Sequence, residues 1–245
     1  MTYCVGMVLS KGLVLMSDTR TNSGVDNISV FRKMFSWQVP GERMISVMTA
    51  GNLATTQAVV SKLEERTKQP GERDTTLLNG PTMFTVATEI GKLLRQTISE
   101  VQDANSTTNR FTASIILAGQ IAGMEPRLFM IYPEGNFIEA SSDTPFFQIG
   151  ETKYGRPILI RGYDADMSIE DAVKLLMVSF DSTLKANLSV GLPLDLMVIG
   201  KDDFAPTHKR RVNQGDVYFE TISSNWGDAL RSAFQSLPGY SLDSQ

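Results

Sequence analysis

The order of hydrophobic periodicities along this 245-residue chain is the sequence feature that most limits its fold. Apolar runs typical of strands recur within residues 2–49, again within 111–140 and once more near the end, and segments with helical three-four spacing lie between these blocks. Strand blocks that alternate with helices predict sheets covered by helices. Because no repeat and no linker rich in Pro, Gly or Ser divides the chain, we predict one domain over residues 1–245.

The individual elements can be predicted in the same way. Strands are predicted over 2–10, 12–18, 30–38, 43–49, 111–121, 127–132, 136–140, 195–200 and 215–221. Helices are predicted over 53–66, 83–101 and 225–235, and a further helix from Ser168 onward. The Ser-Ile-Glu-Asp segment that starts at Ser168 resembles a capping box with aspartate in the third position.

The charge balance and the scarcity of certain side chains exclude several function classes. A net charge of −4 gives no reason to expect nucleic acid or an anionic membrane as a partner. No apolar run approaches the roughly 18 residues that a membrane span needs. With one cysteine, Cys4, and one histidine, His208, the chain lacks the ligands of a zinc site, and it has no phosphate-binding glycine loop. We therefore expect no metal and no cofactor.

The lone cysteine also bears on the cellular compartment. It rules out an intramolecular disulfide and indicates a reducing environment. Charged residues from Lys11 onward interrupt the apolar core that a signal peptide needs, so we expect a cytoplasmic protein. The strongly basic run at 208–211 is interpreted as a solvated turn or a local partner patch.

Thr2 is the residue that most informs the chemistry. If an aminopeptidase removes Met1, the threonine hydroxyl and a new free α-amine sit on one residue. That amine has a pKa of about 7.7 to 8, so it can take the hydroxyl proton near neutral pH. Many unrelated proteins begin with Met-Thr, and alone the feature would equally mark an ordinary strand start. Its weight comes from the segments that follow it.

Several short segments behind Thr2 carry a family resemblance. They read GLVLMSDTR from Gly12, Lys-Met-Phe from Lys33 and Thr-Ala-Gly from Thr49, and in them the chain resembles proteasome β subunits and bacterial HslV. The Thr-Tyr-Cys-Val-Gly opening and the GETKYGRP block from Gly150 make it more similar to the bacterial proteasome-like family Anbu. The resemblance implies an α+β fold, the four-layer αββα sandwich of N-terminal-nucleophile hydrolases with two antiparallel sheets.

The resemblance also implies catalytic roles, each with a chemical reason. Thr2 is the nucleophile and its own amine the general base. The Lys33 ammonium stabilises the alkoxide and lowers the pKa of the amine, and Asp18 pairs with Lys33 and keeps it charged. Gly51 has no side chain to block substrate, so its backbone N–H can stabilise the oxyanion.

The chain departs from the proteasome pattern at two supporting positions. Glu151 stands where proteasome β subunits carry a serine that hydrogen-bonds the threonine amine. A carboxylate there would raise the pKa of the amine unless it turns away or pairs with Lys153 or Arg156. In place of a second supporting aspartate the chain has Asn187, with Ser189 displaced beside it, and both are expected to orient the amine by hydrogen bonds.

Substrate preference is partly readable from the same resemblance. The positions that match a proteasome S1 pocket form a neutral site with apolar walls and hydroxyls, which lacks a charge to select basic or acidic side chains. They are Thr21, Phe31, Phe35, Thr49 and Leu53. Asn22 is placed to hold the substrate backbone. Phe31 and Phe35 are about equally well explained as core aromatics on one face of a strand.

Three functions fit these residues. The first is a threonine peptidase that acts on peptides or unfolded segments inside a homo-oligomer, and the second is an amidase for a non-peptide amide. The third is a self-assembling protein with little or no catalysis, which the residues at 151 and 187 favour. The sequence does not identify an unfoldase partner.

Self-assembly is the remaining expectation. Resemblance to Anbu implies a homo-oligomer in the form of an open helical turn rather than a closed stacked ring. Apolar residues in the last terminal elements support assembly or cap the core of one subunit equally well. These residues are Trp226, Leu230, Phe234 and Tyr240.

Overall fold

The computed structural model of the protein describes residues 2–22, 28–68, 77–101 and 111–242. The strands in these ranges are β1 (Tyr3–Leu9), β2 (Gly12–Asp18), β3 (Arg20–Asn22), β4 (Ile28–Val30), β5 (Met34–Val39), β6 (Arg43–Gly51), β7 (Ala113–Ile121), β8 (Arg127–Ile131), β9 (Phe137–Glu139), β10 (Phe146–Gly150), β11 (Leu194–Gly200) and β12 (His208–Val212). The helices are α1 (Leu53–Lys68), α2 (Met83–Val101), α3 (Arg156–Gly162), α4 (Ile169–Ala186) and α5 (Val217–Gln235).

Ten of these strands form two antiparallel sheets. The first sheet has the order β10-β1-β2-β11-β12 and the second the order β5-β6-β7-β8-β9. β3 and β4 pair as a separate short ribbon. The first sheet therefore ends in β10 and β12, and the second in β5 and β9.

Helices cover the outer face of each sheet. Residues of α3, α4 and α5 share a buried apolar core with the first sheet, and residues of α1 and α2 share one with the second. A third core, which contains side chains of both sheets, lies between them. The predicted α+β four-layer αββα sandwich is confirmed.

The position of β1 in this sandwich explains why its sequence is apolar without alternation. Tyr3, Val5 and Met7 belong to the core under the helices, whereas Cys4 belongs to the core between the sheets. Because successive side chains of a strand point to opposite faces, a strand covered on both faces must be apolar at almost every position. β1 and the residue before it are in this way fixed deep in the molecule.

Most predicted elements are confirmed within a few residues. The helix predicted over 83–101 is α2, the one over 53–66 is α1, and the helix predicted from Ser168 is α4. The Ser168 side chain accepts a hydrogen bond from the N–H of Asp171 at 3.0 Å, as an N-cap residue does.

The end of the predicted order is wrong in two places. The strand expected over 215–221 is the first part of α5, where the carboxylate of Asp216 caps the helix by accepting from the N–H of Phe219 at 3.1 Å. The basic run at 208–211 is not a solvated turn, because it is part of β12. Its interpretation as a local partner patch is compatible with an exposed edge strand. An edge strand has solvent along one side and tolerates charges that a central strand does not.

Three further differences concern short segments. β10 and α3 were not predicted, because a five-residue strand and a seven-residue helix are too short to show a clear period. The strand expected over 30–38 is broken, since β4 ends at Val30 and β5 begins at Met34. Phe31 therefore does not share a strand with Phe35, and its N–H donates to the carbonyl of Thr19 at 2.8 Å.

None of the helices in the described ranges is long and apolar enough to cross a bilayer.

Candidate active site

A cavity of about 700 Å³ opens at the end of the sandwich where β1 begins and β6 ends. Thr2, Lys33 and Gly51 all lie on its wall. These three residues are far apart in sequence, and the antiparallel packing of the sheets brings them together. The cavity is also lined by Thr21, Arg32, Phe35, Thr49, Ala50, Asn52, Leu53, Ala54, Thr56, Gln57 and Gly150.

Thr2 is held by its backbone before β1 starts. Its carbonyl accepts a hydrogen bond of 2.6 Å from the N–H of Glu151, and the residue is only 9% exposed. Gly150 stands beside it with φ of +84°, and a Cβ on that glycine would lie 2.0 Å from the Thr2 carbonyl oxygen. Glycine is therefore required at 150 for both conformation and space, and this close approach fixes the nucleophile candidate against β10.

Asp18 and Lys33 form a buried ion pair beside Thr2. Lys33 Nζ donates to Asp18 Oδ1 at 2.7 Å and to the carbonyl oxygen of Arg20 at 2.6 Å. Asp18 Oδ1 also accepts from the N–H of Tyr3, the residue after Thr2, at 3.0 Å. Asp18 is fully buried and Lys33 is 5% exposed, so water screens their attraction weakly.

The surroundings of Asp18 act on its pKa in opposite directions. Burial raises the pKa of the Asp18 carboxyl, because a carboxylate loses hydration in the interior. The Lys33 ammonium opposes this rise, as do the backbone N–H groups of Tyr3 and Gly191. The contacts that favour the ionised carboxylate are thus also those that orient Lys33 and the start of β1.

Tyr3 anchors the same stretch of backbone from the other side of the sheet. Its hydroxyl lies 2.7 Å from Ser179 Oγ and accepts from Gln148 Nε2 at 2.8 Å, and Ser179 Oγ donates to the Gly155 carbonyl at 3.1 Å. Burial raises the pKa of Tyr3 to about 12, so the phenol stays neutral. This network joins β1 to β10, α4 and the loop before α3.

Cys4 is a second nucleophile near Thr2 by sequence, but its environment is unsuited to that role. The thiol is fully buried between the sheets and donates to the carbonyl of Thr49 at 3.8 Å. Burial raises the pKa of the Cys4 thiol, which keeps it protonated. Since the thiolate is the reactive form, Cys4 serves packing.

Gly51 ends β6 at the cavity wall, in a conformation that favours glycine. Its φ is +120°, and a Cβ there would lie 2.4 Å from the carbonyl oxygen of Thr112. A side chain at 51 would therefore displace the strand end that forms this wall. The backbone of Gly51 itself borders the space in front of Thr2.

The carboxylate of Glu151 is engaged away from the cavity. Oε1 accepts from the N–H of Lys153 at 2.8 Å, and Oε2 accepts from Asn187 Nδ2 at 2.9 Å. Asn187 Oδ1 in turn accepts from the N–H of Ser189 at 2.9 Å. Within the described ranges, the Lys153 and Arg156 side chains form no ion pair with Glu151.

Asn187 therefore contacts both Glu151 and Ser189. Asn187 Nδ2 donates to Glu151 and Asn187 Oδ1 accepts from Ser189, so in this structure both residues are linked to Thr2 through Glu151. Glu151 supplies that link with its own backbone N–H to the Thr2 carbonyl.

Most of the residues expected at the substrate pocket lie on the cavity wall. Thr21, Phe35, Thr49 and Leu53 line the cavity with Thr2. Phe31 is not on its wall. Asn22 ends β3, and its side chain lies outside the described part of the structure.

The cavity wall also includes residues outside the positions expected to form the substrate pocket. Arg32 lies on the cavity wall and is exposed, so the site carries a guanidinium beside its apolar side chains. Gln57 was also missed, although it stands four residues after Leu53 on α1 and therefore on the same helix face. Arg32 could have been noticed as the direct neighbour of Lys33.

Comparison with known proteins finds relatives among proteasome subunits. The family model for the proteasome subunit matches residues 2–199. The proteasome subunit beta of Methanocaldococcus jannaschii is 27% identical over 201 residues, which is 82% of each chain.

Two solved structures are more similar. Anbu (ancestral beta-subunit) from Yersinia bercovieri is 47% identical with a TM-score of 0.91, covering 98% of this chain and 100% of that one. The helical assembly of the Anbu complex from Pseudomonas aeruginosa is 42% identical with a TM-score of 0.92, covering 99% and 100%. The fold, the matched length and these identities agree: the chain belongs to the proteasome subunit family, within its Anbu branch.

Proposed function

We propose that this protein is an N-terminal threonine hydrolase that cleaves peptide bonds after removal of Met1. The observation that carries the proposal is the shared cavity wall of Thr2, Lys33 and Gly51, with Lys33 fixed by a buried ion pair to Asp18. The arrangement combines a hydroxyl nucleophile, a fixed cation and a backbone donor around one space. Kinship with proteasome β subunits supports the same activity.

The proposed reaction begins at the Thr2 hydroxyl. The free Thr2 amine takes the hydroxyl proton as the oxygen attacks the scissile carbonyl, and the carbonyl π electrons move onto its oxygen. The Gly51 N–H stabilises that oxyanion, a contact of a kind that is worth about 3 kcal/mol in the transition state. Collapse of the tetrahedral intermediate breaks the C–N bond, and the Thr2 ammonium donates the proton that it took from the hydroxyl to the leaving amine. Water then hydrolyses the acyl-enzyme ester.

Lys33 acts on the protonation state of this base. A buried ammonium close to the amine disfavours a second positive charge, so it lowers the pKa of the amine and keeps it available. Asp18 in turn holds the Lys33 side chain in place. Because Cys4 is buried, Thr2 is the better candidate nucleophile in this region.

We also propose that the protein works as a homo-oligomer in the cytoplasm, on peptides or unfolded segments. The helical assembly described for the Pseudomonas aeruginosa relative favours an open helical turn for this chain too. Several large apolar side chains at the end of the described chain are exposed and available for such contacts, among them Leu230, Phe234 and Tyr240.

Removal of Met1 is the first prediction. The proposed base does not exist until the peptide bond before Thr2 is cut, and the small threonine side chain permits aminopeptidase cleavage. The intact mass of protein made in bacteria is therefore expected to be one methionine lower than the encoded mass. Retention of Met1 in all copies would leave the reaction without its base.

The second prediction concerns the nucleophile and its cation. A peptide epoxyketone needs both the hydroxyl and the free amine, so Thr2→Ala is expected to abolish labelling, whereas Thr2→Ser retains the chemistry. Lys33→Ala is expected to slow labelling by about a hundredfold or more. Mass spectrometry of the modified N-terminal peptide measures each rate.

A control separates chemistry from folding at Lys33. Removing this lysine leaves Asp18 buried without its partner, a change that typically costs about 3–5 kcal/mol. The double variant Asp18→Asn, Lys33→Met removes both charges, so no buried carboxylate is left unpaired, and it is also expected to be labelled about a hundredfold or more slowly. Lys92→Ala, at an exposed lysine of α2, is expected to label normally. Ready labelling of the Thr2→Ala protein would point to another nucleophile.

The third prediction concerns Glu151. Its carboxylate is occupied by the Lys153 N–H and by Asn187, so Glu151→Ser is expected to slow labelling by loosening the backbone around Thr2. The pH midpoint of the labelling rate is expected to stay where it is in the unsubstituted protein. A shift of that midpoint to lower pH would instead mean that the carboxylate acts directly on the amine.

The fourth prediction concerns assembly. A heterologous interface that does not close generates a helix, whereas one that closes generates a ring. Light scattering at micromolar concentration is expected to show a species well above the 27.0 kDa of one chain. Electron microscopy is then expected to show open helical turns; a monodisperse monomer or flat closed rings would contradict this form of assembly.

A further inference from the structure

A second cavity, of about 530 Å³, opens beside the first between the edges of the two sheets. Its walls include residues of β5, the edge strand of the second sheet, and of β12, the edge strand of the first. Arg32 and Phe35 line both cavities, so the two spaces are adjacent. We call this second cavity the basic cleft, after Arg32, Lys209, Arg210 and Arg211 on its wall.

The register of β12 explains how its cations reach this space. Lys209 lies opposite Met197, and Met197 belongs to the apolar core between the sheets. Residues opposite each other on neighbouring strands share a face, so Lys209 also points toward the second sheet. Lys209 Nζ donates to Ser36 Oγ on β5 at 3.0 Å, which bridges the two edge strands.

Two of the four cations are already neutralised by ion pairs. Arg211 donates to both carboxylate oxygens of Asp195 at 2.7 and 3.0 Å, and Arg210 donates to Asp216 at 2.7 Å. These pairs hold the wall of the cleft in place. Because Arg210 and Arg211 are already paired, the other two cations, Arg32 and Lys209, are the ones that can bind an external anion.

Arg32 and Lys209 are the cations available to a ligand. Both are exposed, and neither forms an ion pair with another residue in the described ranges. The remaining carboxylate on the wall, Glu64, is exposed on α1. A cleft with unpaired positive charge is notable in a chain whose net charge is −4.

We propose that the basic cleft binds an acidic segment of a polypeptide substrate whose neighbouring residues occupy the catalytic cavity. The inference rests on the proposed peptidase function, and it adds the chemical class of sequence that this site prefers. Carboxylates of the segment pair with Arg32 and Lys209. Since β5 and β12 are edge strands, their outer backbone groups are also positioned to bond an extended peptide.

Recognition through this cleft differs from selection by the pocket next to Thr2. In the proposed reaction, the substrate side chain beside the scissile bond lies against Phe35, Thr49 and Leu53, which are uncharged residues of the catalytic cavity. Carboxylates farther along the substrate meet the cations instead. The cleft therefore sets a preference for acidic residues at a distance from the cut, without requiring an acidic residue at the cut itself.

Binding of a labelled peptide to the Thr2→Ala protein tests the proposal without turnover. Fluorescence anisotropy compares a fluorescein-labelled peptide that contains a run of glutamates with the same peptide carrying glutamines. The glutamate peptide is expected to bind about tenfold more tightly, from two exposed ion pairs. The advantage is expected to shrink when ionic strength rises from about 0.05 to 0.3 M, because salt screens exposed charges.

Matched variants locate the binding site. Arg32→Gln with Lys209→Gln is expected to remove the roughly tenfold preference. Arg161→Gln with Lys201→Gln changes the net charge equally, away from the cleft, and is expected to keep it. Equal affinity for the two peptides, or equal losses in both double variants, would overturn the proposal.

Failure of the peptidase proposal gives a different result. Labelling of Thr2 by an uncharged peptide epoxyketone depends on the catalytic residues and is measured on the protein with Thr2 intact. Preference for the glutamate peptide without labelling of Thr2 would support the acidic-peptide site and contradict the proposed hydrolase function. Labelling of Thr2 without a preference for the glutamate peptide would contradict only the proposed role of the basic cleft.

Discussion

The buried contact between the carboxylate of Asp18 and the ammonium of Lys33 is the interaction on which the rest of the site depends. Asp18 ends β2 in the first sheet, whereas Lys33 directly precedes β5 in the second, so the pair joins the two sheets at their shared end. The same carboxylate oxygen accepts from the N–H of Tyr3. One buried group therefore sets the distance between the cation, the nucleophile candidate and both sheets.

Thr2 is positioned by contacts that do not involve its own reactive atoms. Its carbonyl is held by the Glu151 N–H, and the next residue is held by Asp18 through the backbone and by Ser179 and Gln148 through the phenol. Fixing the backbone on both sides orients Thr2 without engaging its hydroxyl. The proposed reaction needs that hydroxyl together with the amine that removal of Met1 would free. This arrangement gives Glu151 a structural role beside Thr2.

The elements predicted correctly from the sequence are those whose local hydrophobic pattern matches the way they are buried in the fold. α2 has an unbroken apolar stripe, and β1 and β2 are apolar runs with a turn between them, so each was correctly identified. The start of α5 was misread because its Val-Tyr-Phe segment is strand-like, and the capping contact of Asp216 decides the outcome. The hydrogen-bond partners of the Glu151 carboxylate depend on the tertiary structure, because Asn187 is 36 residues away in sequence, and no local pattern encodes this contact.

Charge distribution links the site to the proposed preference for acidic segments. Because the whole chain carries a net charge of −4, its long-range field does not attract acidic polypeptides. The cations of the basic cleft act over about 8 Å at physiological ionic strength, which is the distance at which salt screens exposed charges. Their contribution is therefore felt only by a segment that has already entered the neighbouring cavity. A site of this kind selects among bound sequences through their residence time rather than through their rate of arrival.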